Sequence, residues 1–198
     1  MKKVLLILAL AMFSFANAQK GTILVSGNVG FSSEKMNSSG NESTQSSFGI
    51  FPKVGYQFAD SWTVGVQSSL SFVNNVTDST NGHSNNYGIG AFVRYSKPVS
   101  ELFTVYADLG TGFSFGNGSY SNSGTAYVTS KSNGFGINIS PALLINIKKG
   151  YGLNFGFGGL GYSSSKVENQ TIPNSFQNSK IFDFSFGQAF TVGISKNF

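Results

Sequence analysis

The sequence predicts an all-β chain, an eight-stranded antiparallel up-and-down transmembrane β-barrel, and three observations carry that prediction. The N-terminus reads as an export signal, long stretches alternate bulky apolar with small polar residues, and short polar connections alternate with long ones.

At the N-terminus, Lys2 and Lys3 precede an apolar run over residues 4–15 and then Ala16-Asn17-Ala18, the small-residue pattern of a cleavage site. The run is too short to span a bilayer as a helix, so residues 1–18 read as a signal peptide removed near Ala18, with the mature chain beginning near Gln19. Residues 19–198 show no shift of composition, charge run or Pro-rich linker and read as one barrel domain. The absence of Cys excludes disulfides, thiolate zinc sites and cysteine nucleophiles. Without Lys2 and Lys3 the 13 basic residues fall to 11 against 8 acidic ones, a net charge of +3, scattered singly apart from Lys148-Lys149. Nucleic-acid binding needs a clustered basic patch, so no nucleic-acid partner is expected.

The strands follow by period two. The first carries Val25, Val29 and Phe31; the second carries Phe48, Ile50, Val54, Tyr56 and Phe58. The third has Trp62, Val64, Val66, Leu70 and Phe72, and the fourth Tyr87, Ile89, Ala91, Val93 and Tyr95. Four more fall near residues 102–115, 134–147, 151–162 and 180–198. In the last of these Phe182, Phe184, Phe186, Phe190, Val192, Ile194 and Phe198 share one parity, while small and polar residues from Asp183 to Ser195 hold the other. The aromatic face is too bulky to fill a narrow barrel and the small face fits inside, so the aromatics should meet lipid. Closure into a ring satisfies backbone groups that an open edge would leave unpaired in hydrocarbon.

Ala59-Asp60-Ser61, Lys97-Pro98-Val99-Ser100 and Lys148-Lys149-Gly150 read as tight periplasmic turns. Residues 32–47, 74–86, 116–133 and 163–179 are rich in Ser, Asn and Gly and read as long extracellular loops. Tyr56, Phe58, Trp62, Tyr95, Phe103 and Tyr151 gather around the short turns as an interfacial girdle.

Across the mature length this pattern resembles the small outer-membrane barrel family, the OmpX-like and OmpA-type β-barrel domains. The most specific mark is the ending Thr191-Val192-Gly193-Ile194-Ser195-Lys196-Asn197-Phe198, similar to the terminal-aromatic signal that the barrel-assembly machinery reads in that family. The resemblance implies residence in the cell outer membrane, outer-membrane lipid as surroundings and Phe198 as the assembly signal. OmpA-type proteins continue into a peptidoglycan-binding domain, whereas this sequence ends with its last strand, so peptidoglycan anchoring is not expected. The resemblance rests on pattern and brings no catalytic or ligand residues with it.

Parity places Lys53, Arg94, Asp108 and Asp183 on the lumen face of four strands. These charges either pair and help plug the barrel, or each meets water at its own depth. The lone histidine, His83, stands in Gly82-His83-Ser84 with Asp78 upstream. Small outer-membrane barrels include lipid A acyltransferases and deacylases that use His with Ser, but a Ser/Asn/Gly loop holds neither nucleophile nor base in place. No catalytic residue is therefore predicted. Residues 156–161 fit G-x-G-x-x-G by letters, yet no helix follows to hold a pyrophosphate, so these glycines read as lumen-facing positions or bends of the wall. Sequons such as Asn41-Glu42-Ser43 follow from composition, and no acidic or His cluster has metal spacing, so no cofactor is expected.

Three functions remain, in this order: a structural or surface-interaction barrel whose polar loops meet an extracellular ligand, a narrow porin-like channel for small solutes, and a lipid A-modifying enzyme.

Overall fold

In a computed structural model, which describes residues 21–38, 41–77, 80–122, 126–172 and 174–198, the chain forms a closed antiparallel barrel in the order β1 to β8. The proposed signal peptide, Asp78 and the 1–20 segment as a whole lie outside the described residues. The strands are β1 (Ile23–Ser38), β2 (Asn41–Ala59), β3 (Trp62–Thr77), β4 (Thr80–Pro98), β5 (Phe103–Asn122), β6 (Ala126–Asn146), β7 (Tyr151–Asn169) and β8 (Phe176–Asn197). Every strand pairs with its neighbours in sequence, and β1 meets β8 to close the ring. Among the described residues no helix is long and apolar enough to cross a membrane, which says nothing of a crossing by strands.

The face assignment follows from the alternation. Val29, Phe31, Val66, Ile89, Phe113, Ile137, Phe182 and Phe184 project outward and are exposed, whereas Gly, Ser, Thr and Asn occupy the facing lumen positions. Trp62 packs against Tyr95 across the β3–β4 pair with ring centroids 4.9 Å apart, and Phe72 meets Tyr87 edge-on at 6.3 Å near the other rim. From Trp62 to Phe72 is ten residues along β3. At about 3.3 Å per residue and a tilt of roughly 40°, that span stands about 25 Å tall, the height of a hydrocarbon belt bounded by aromatic girdles.

The three short turns fall where the sequence places them. Ala59 pairs with Trp62 around Asp60-Ser61, the Ser100 hydroxyl accepts the Phe103 amide at 3.1 Å, and a single 3-10 turn over Lys148–Gly150 carries Lys149 and Gly150 at positive φ.

The long connections require a correction. The Ser/Asn/Gly-rich stretches 32–47, 74–86, 116–133 and 163–179 are mostly strand: β1 and β2 remain paired to Ser38↔Asn41, β5 and β6 to Asn122↔Ala126, and β7 and β8 to Glu168↔Phe176. Alternation vanishes there because both faces meet water, and not because the sheet ends. The backbone ladder continues, with cross-strand links such as Ser32 to Ser47 at 2.7 Å and Lys35 to Glu42 at 2.7 Å.

The glycines of residues 156–161 mark a bend, one of the two readings the sequence allowed. Between Ile139↔Leu160 and Ala142↔Gly156, β7 carries one residue more than β6, and between Gly156↔Thr191 and Gly158↔Phe186, β8 carries three more than β7, so both strands bulge here. Gly158 takes φ +102 and Gly187 on β8 takes φ +74, conformations that L side chains rarely adopt. Below the bulge β7 turns Tyr151, Leu153 and Phe155 toward the lipid face; above it Leu160 and Tyr162 take that face. One inserted residue thus reverses the parity of the strand.

Candidate functional site

At one level of the lumen, side chains from four strands meet. Arg94 on β4 and Asp108 on β5 are directly paired in register, so their side chains enter the lumen side by side. Arg94 holds the carboxylate from two positions, Nε to Oδ1 at 2.6 Å and a terminal guanidinium nitrogen to Oδ2 at 2.9 Å. Lys53 arrives from β2 and donates to Oδ2 at 2.8 Å. The Arg94 guanidinium lies 3.8 Å from the centroid of the Tyr106 ring, and the Tyr106 hydroxyl donates to Asn154 on β7 at 3.0 Å.

Phe92 completes the layer at 1% exposure, with Lys53 5.3 Å and Arg94 5.9 Å from its ring centroid. Its ring occupies space left by glycines on the two preceding strands: a Cβ on Gly65 would come within 2.7 Å of the ring, and one on Gly55 within 3.0 Å. The cluster carries two cations and one anion, so its surplus positive charge rests against aromatic faces. Arg94 and Asp108 are nearly sealed, with side chains 6% and 4% exposed, whereas Lys53 keeps 24%.

Asp183 does not join this cluster. It is an exposed residue high on β8, opposite Gly161, and lines the space above the plug. Parity gave it the correct face, but the tilt of the strands lifts β8 away from the level reached by Lys53, Arg94 and Asp108. Above the plug the lumen walls are chiefly Gly and Ser, and a cavity of about 540 Å³ opens there between Phe51, Lys53, Gln67, Asn138 and Asp183.

Sequence reasoning missed Phe92, Tyr106 and Asn154 as members of the plug, and Phe51 as an apolar side chain in the lumen. Phe92, Tyr106 and Phe51 share parity with Arg94, Asp108 and Lys53, which was the available signal.

His83 lies outside the lumen on an exposed hairpin face, its Nδ1 2.8 Å from Asn74 Oδ1. It borders a shallow cavity of about 430 Å³ with Asn85, Asn117, Lys131 and Gln170. Phe198 closes the ring: its amide donates to Ile23 O at 3.1 Å and its carbonyl accepts the Ile23 amide at 3.2 Å. Its ring is exposed beneath the Lys196 ammonium, 4.2 Å from the centroid.

A closed ring of eight strands, apolar outside, small and polar inside, with aromatic girdles at the rims, defines an outer-membrane β-barrel protein. The chain belongs to the family described as "Outer membrane protein beta-barrel domain", whose profile it matches over residues 4–198. Among solved structures it is similar to a major outer membrane protein from Thermus thermophilus, with TM-score 0.56 and 14% identity over 90% of this chain and 99% of that one. It is also similar to the outer membrane protein OprG from Pseudomonas aeruginosa, with TM-score 0.52 and 12% identity over 90% and 96% of the two chains. Ail, the attachment invasion locus protein of Yersinia pestis, gives TM-score 0.41 and 15% identity over 90% and 97%. At these identities the likeness concerns the fold. No curated protein matches.

Proposed function

We propose that this is a plugged barrel that serves as a structural or surface-interaction protein, presenting its four extended hairpins to a polar extracellular ligand. The carrying observation is the Lys53–Asp108–Arg94 cluster capped by Phe92, which fills the lumen at one level from strands β2, β4 and β5. A barrel of this size has room for such a layer and none for a wide channel beside it.

The test is electrical. Folded wild-type protein in a planar bilayer gives no discrete single-channel currents at low or high salt, and Arg94→Ala gives a leak together with a lower thermal unfolding midpoint. Stable wild-type conductance would establish the porin-like reading, and an Arg94→Ala protein unchanged in both measurements would remove the cluster as the plug. On this non-catalytic reading, expression of the protein leaves the mass of lipid A unchanged.

The reading includes export with cleavage after Ala18, checked by an intact mass beginning at Gln19. It also makes Phe198 the end recognised by the barrel-assembly machinery. Phe198→Ala then lowers the yield of folded barrel in cells while refolding of the purified chain into detergent is little changed; equal yield in cells overturns this role.

A further inference from the structure

The ring is closed unevenly. The β1–β8 register carries five pairs, from Leu24↔Asn197 to Asn28↔Gly193, extended at the base by the reciprocal Ile23–Phe198 bonds. Every other seam carries at least fourteen pairs. Above Asn28, β1 continues on β2 to Ser38 and β8 continues on β7, with no pairing between β1 and β8 among the described residues. Gly187 sits in the β8 bulge over this region, and β1 from Val29 upward is exposed on both its faces.

Such a parting has a physical requirement. Unpaired backbone groups facing hydrocarbon cost several kcal/mol or so each, and are tolerated at membrane depth only where they are buried in protein or line a water-filled space. The cavity above the plug supplies that space, and its lining residues come from β2 through β8. The cavity reaches Phe51, the partner of Asn28 at the last seam pair, and the outer wall beside the parting carries Val29, Phe31, Phe182 and Phe186.

Two lumen residues beside the parting specify what fits. Phe51 is paired with Asn28, the last β1 residue joined to β8, and places a 38% exposed ring in an otherwise small-residue lumen. Lys53, two residues below on the same strand, forms the cavity floor. Because Arg94 already holds Asp108 through two hydrogen bonds, Lys53 is the surplus cation and the one member of the ion cluster left open to the cavity. Asp183, higher on β8, disfavours a second anion near the upper wall and leaves the floor as the favourable position.

We propose that the gap between β1 and β8 above Asn28 is a lateral portal from the outer leaflet, through which a single-chain amphiphile with an anionic head binds in the lumen. The head sits at Lys53, and the chain lies against Phe51 and out through the seam into lipid. The plug is the floor of this site.

Gly30 offers a clean block. It faces the lumen on β1 above the last seam pair, and a Cβ there would meet only the Phe51 ring, at 4.0 Å, so a large side chain can be added without crowding the backbone. The experiment measures binding of a dansyl-labelled long-chain fatty acid, and of the matching alcohol, to protein in phospholipid nanodiscs, with folding of each variant verified by heat-modifiable gel mobility. Wild type binds the acid saturably above protein-free discs. Gly30→Trp, or Gly30→Leu if the larger residue impairs folding, weakens both probes at least about tenfold, and Lys53→Gln weakens the acid by about tenfold while sparing the alcohol. Absence of saturable binding in wild type, or wild-type affinity in the folded Gly30 variant, overturns the portal. Equal binding of acid and alcohol by wild type, or an unchanged acid affinity in Lys53→Gln, overturns the anionic head group.

Discussion

Asp108 is the only anion among the three charges of the plug, and its loss leaves two cations facing one another with no counter-charge. Breaking a buried pair from one side costs about 3–5 kcal/mol, because the remaining charge stays desolvated. Asp108→Asn is therefore expected to destabilise the barrel by about that amount in urea unfolding from lipid vesicles, more than Lys53→Gln, whose side chain already reaches the cavity. Phe92→Ala opens a void over Gly55 and Gly65 and is expected to cost about 3–5 kcal/mol in the same assay. The ion pair was legible in the sequence to the extent that parity is legible: Arg94 and Asp108 are polar residues on the small-residue face of adjacent strands. Asp183 obeys the same parity and sits elsewhere, because parity states which face a residue takes and not how far up a tilted strand it lies. Phe92 and Tyr106 were hidden for the opposite reason, since an aromatic residue in a barrel wall is read by default as lipid-facing.

At the scale of the element, the bulge and the hairpins carry most of the difference between sequence and structure. Gly187 and Gly158 hold backbone conformations that strain other residues by about 1–3 kcal/mol, so Gly187→Val is expected to lower the unfolding midpoint although nothing crowds its Cβ position. In the β7–β8 hairpin Lys166 donates to Glu168 at 2.6 Å, and this bond, followed by the ammonium's charge, holds the Glu168 carboxyl below its ordinary range. A depressed folded-state value means that the contribution is present above the ordinary glutamate range and fades as pH falls through the folded value. Hydrogen exchange at the hairpin tip is thus expected to be insensitive to pH near neutrality, after correction for intrinsic rates, and to quicken in acid. Glu168→Gln should remove that acid step. The hairpins themselves were misread as loops because Ser, Asn and Gly report polarity; what keeps residues 116–122 in a strand is pairing with β6, a tertiary fact that composition does not encode.

For the molecule as a whole, the period-two pattern, the count of eight strands and the three tight turns were all readable, since each follows from the demand that a membrane-spanning sheet be closed and face lipid with bulky side chains. The unequal seams were not. The length of β1–β8 contact depends on how bulges in β7 and β8 steer the last strand, and the letters Gly156 to Gly161 announce a bend without giving its direction. The structure predicts a matching gradient of backbone protection. Amides of β5 and β6, joined through 20 consecutive pairs, are expected to exchange slowest, and those of β1 above Asn28 fastest among strand residues within the hydrocarbon belt. Uniform protection around the ring in a bilayer would show that β1 and β8 pair along their full length there.

The continuation of the sheet beyond the girdle has a consequence for reach. From Phe115, the last bulky outward residue of β5 before the polar crest, the strand runs seven more residues to Asn122, about 23 Å along its length and about 17 Å in height at the tilt of such barrels. The polar interface of a simple bilayer is only about 5–8 Å deep on each side. The hairpins therefore stand as a stiff parapet above the lipid head groups, and in the proposed orientation, with hairpins outward, its crest would be the first part of the protein to meet an external polymer or surface.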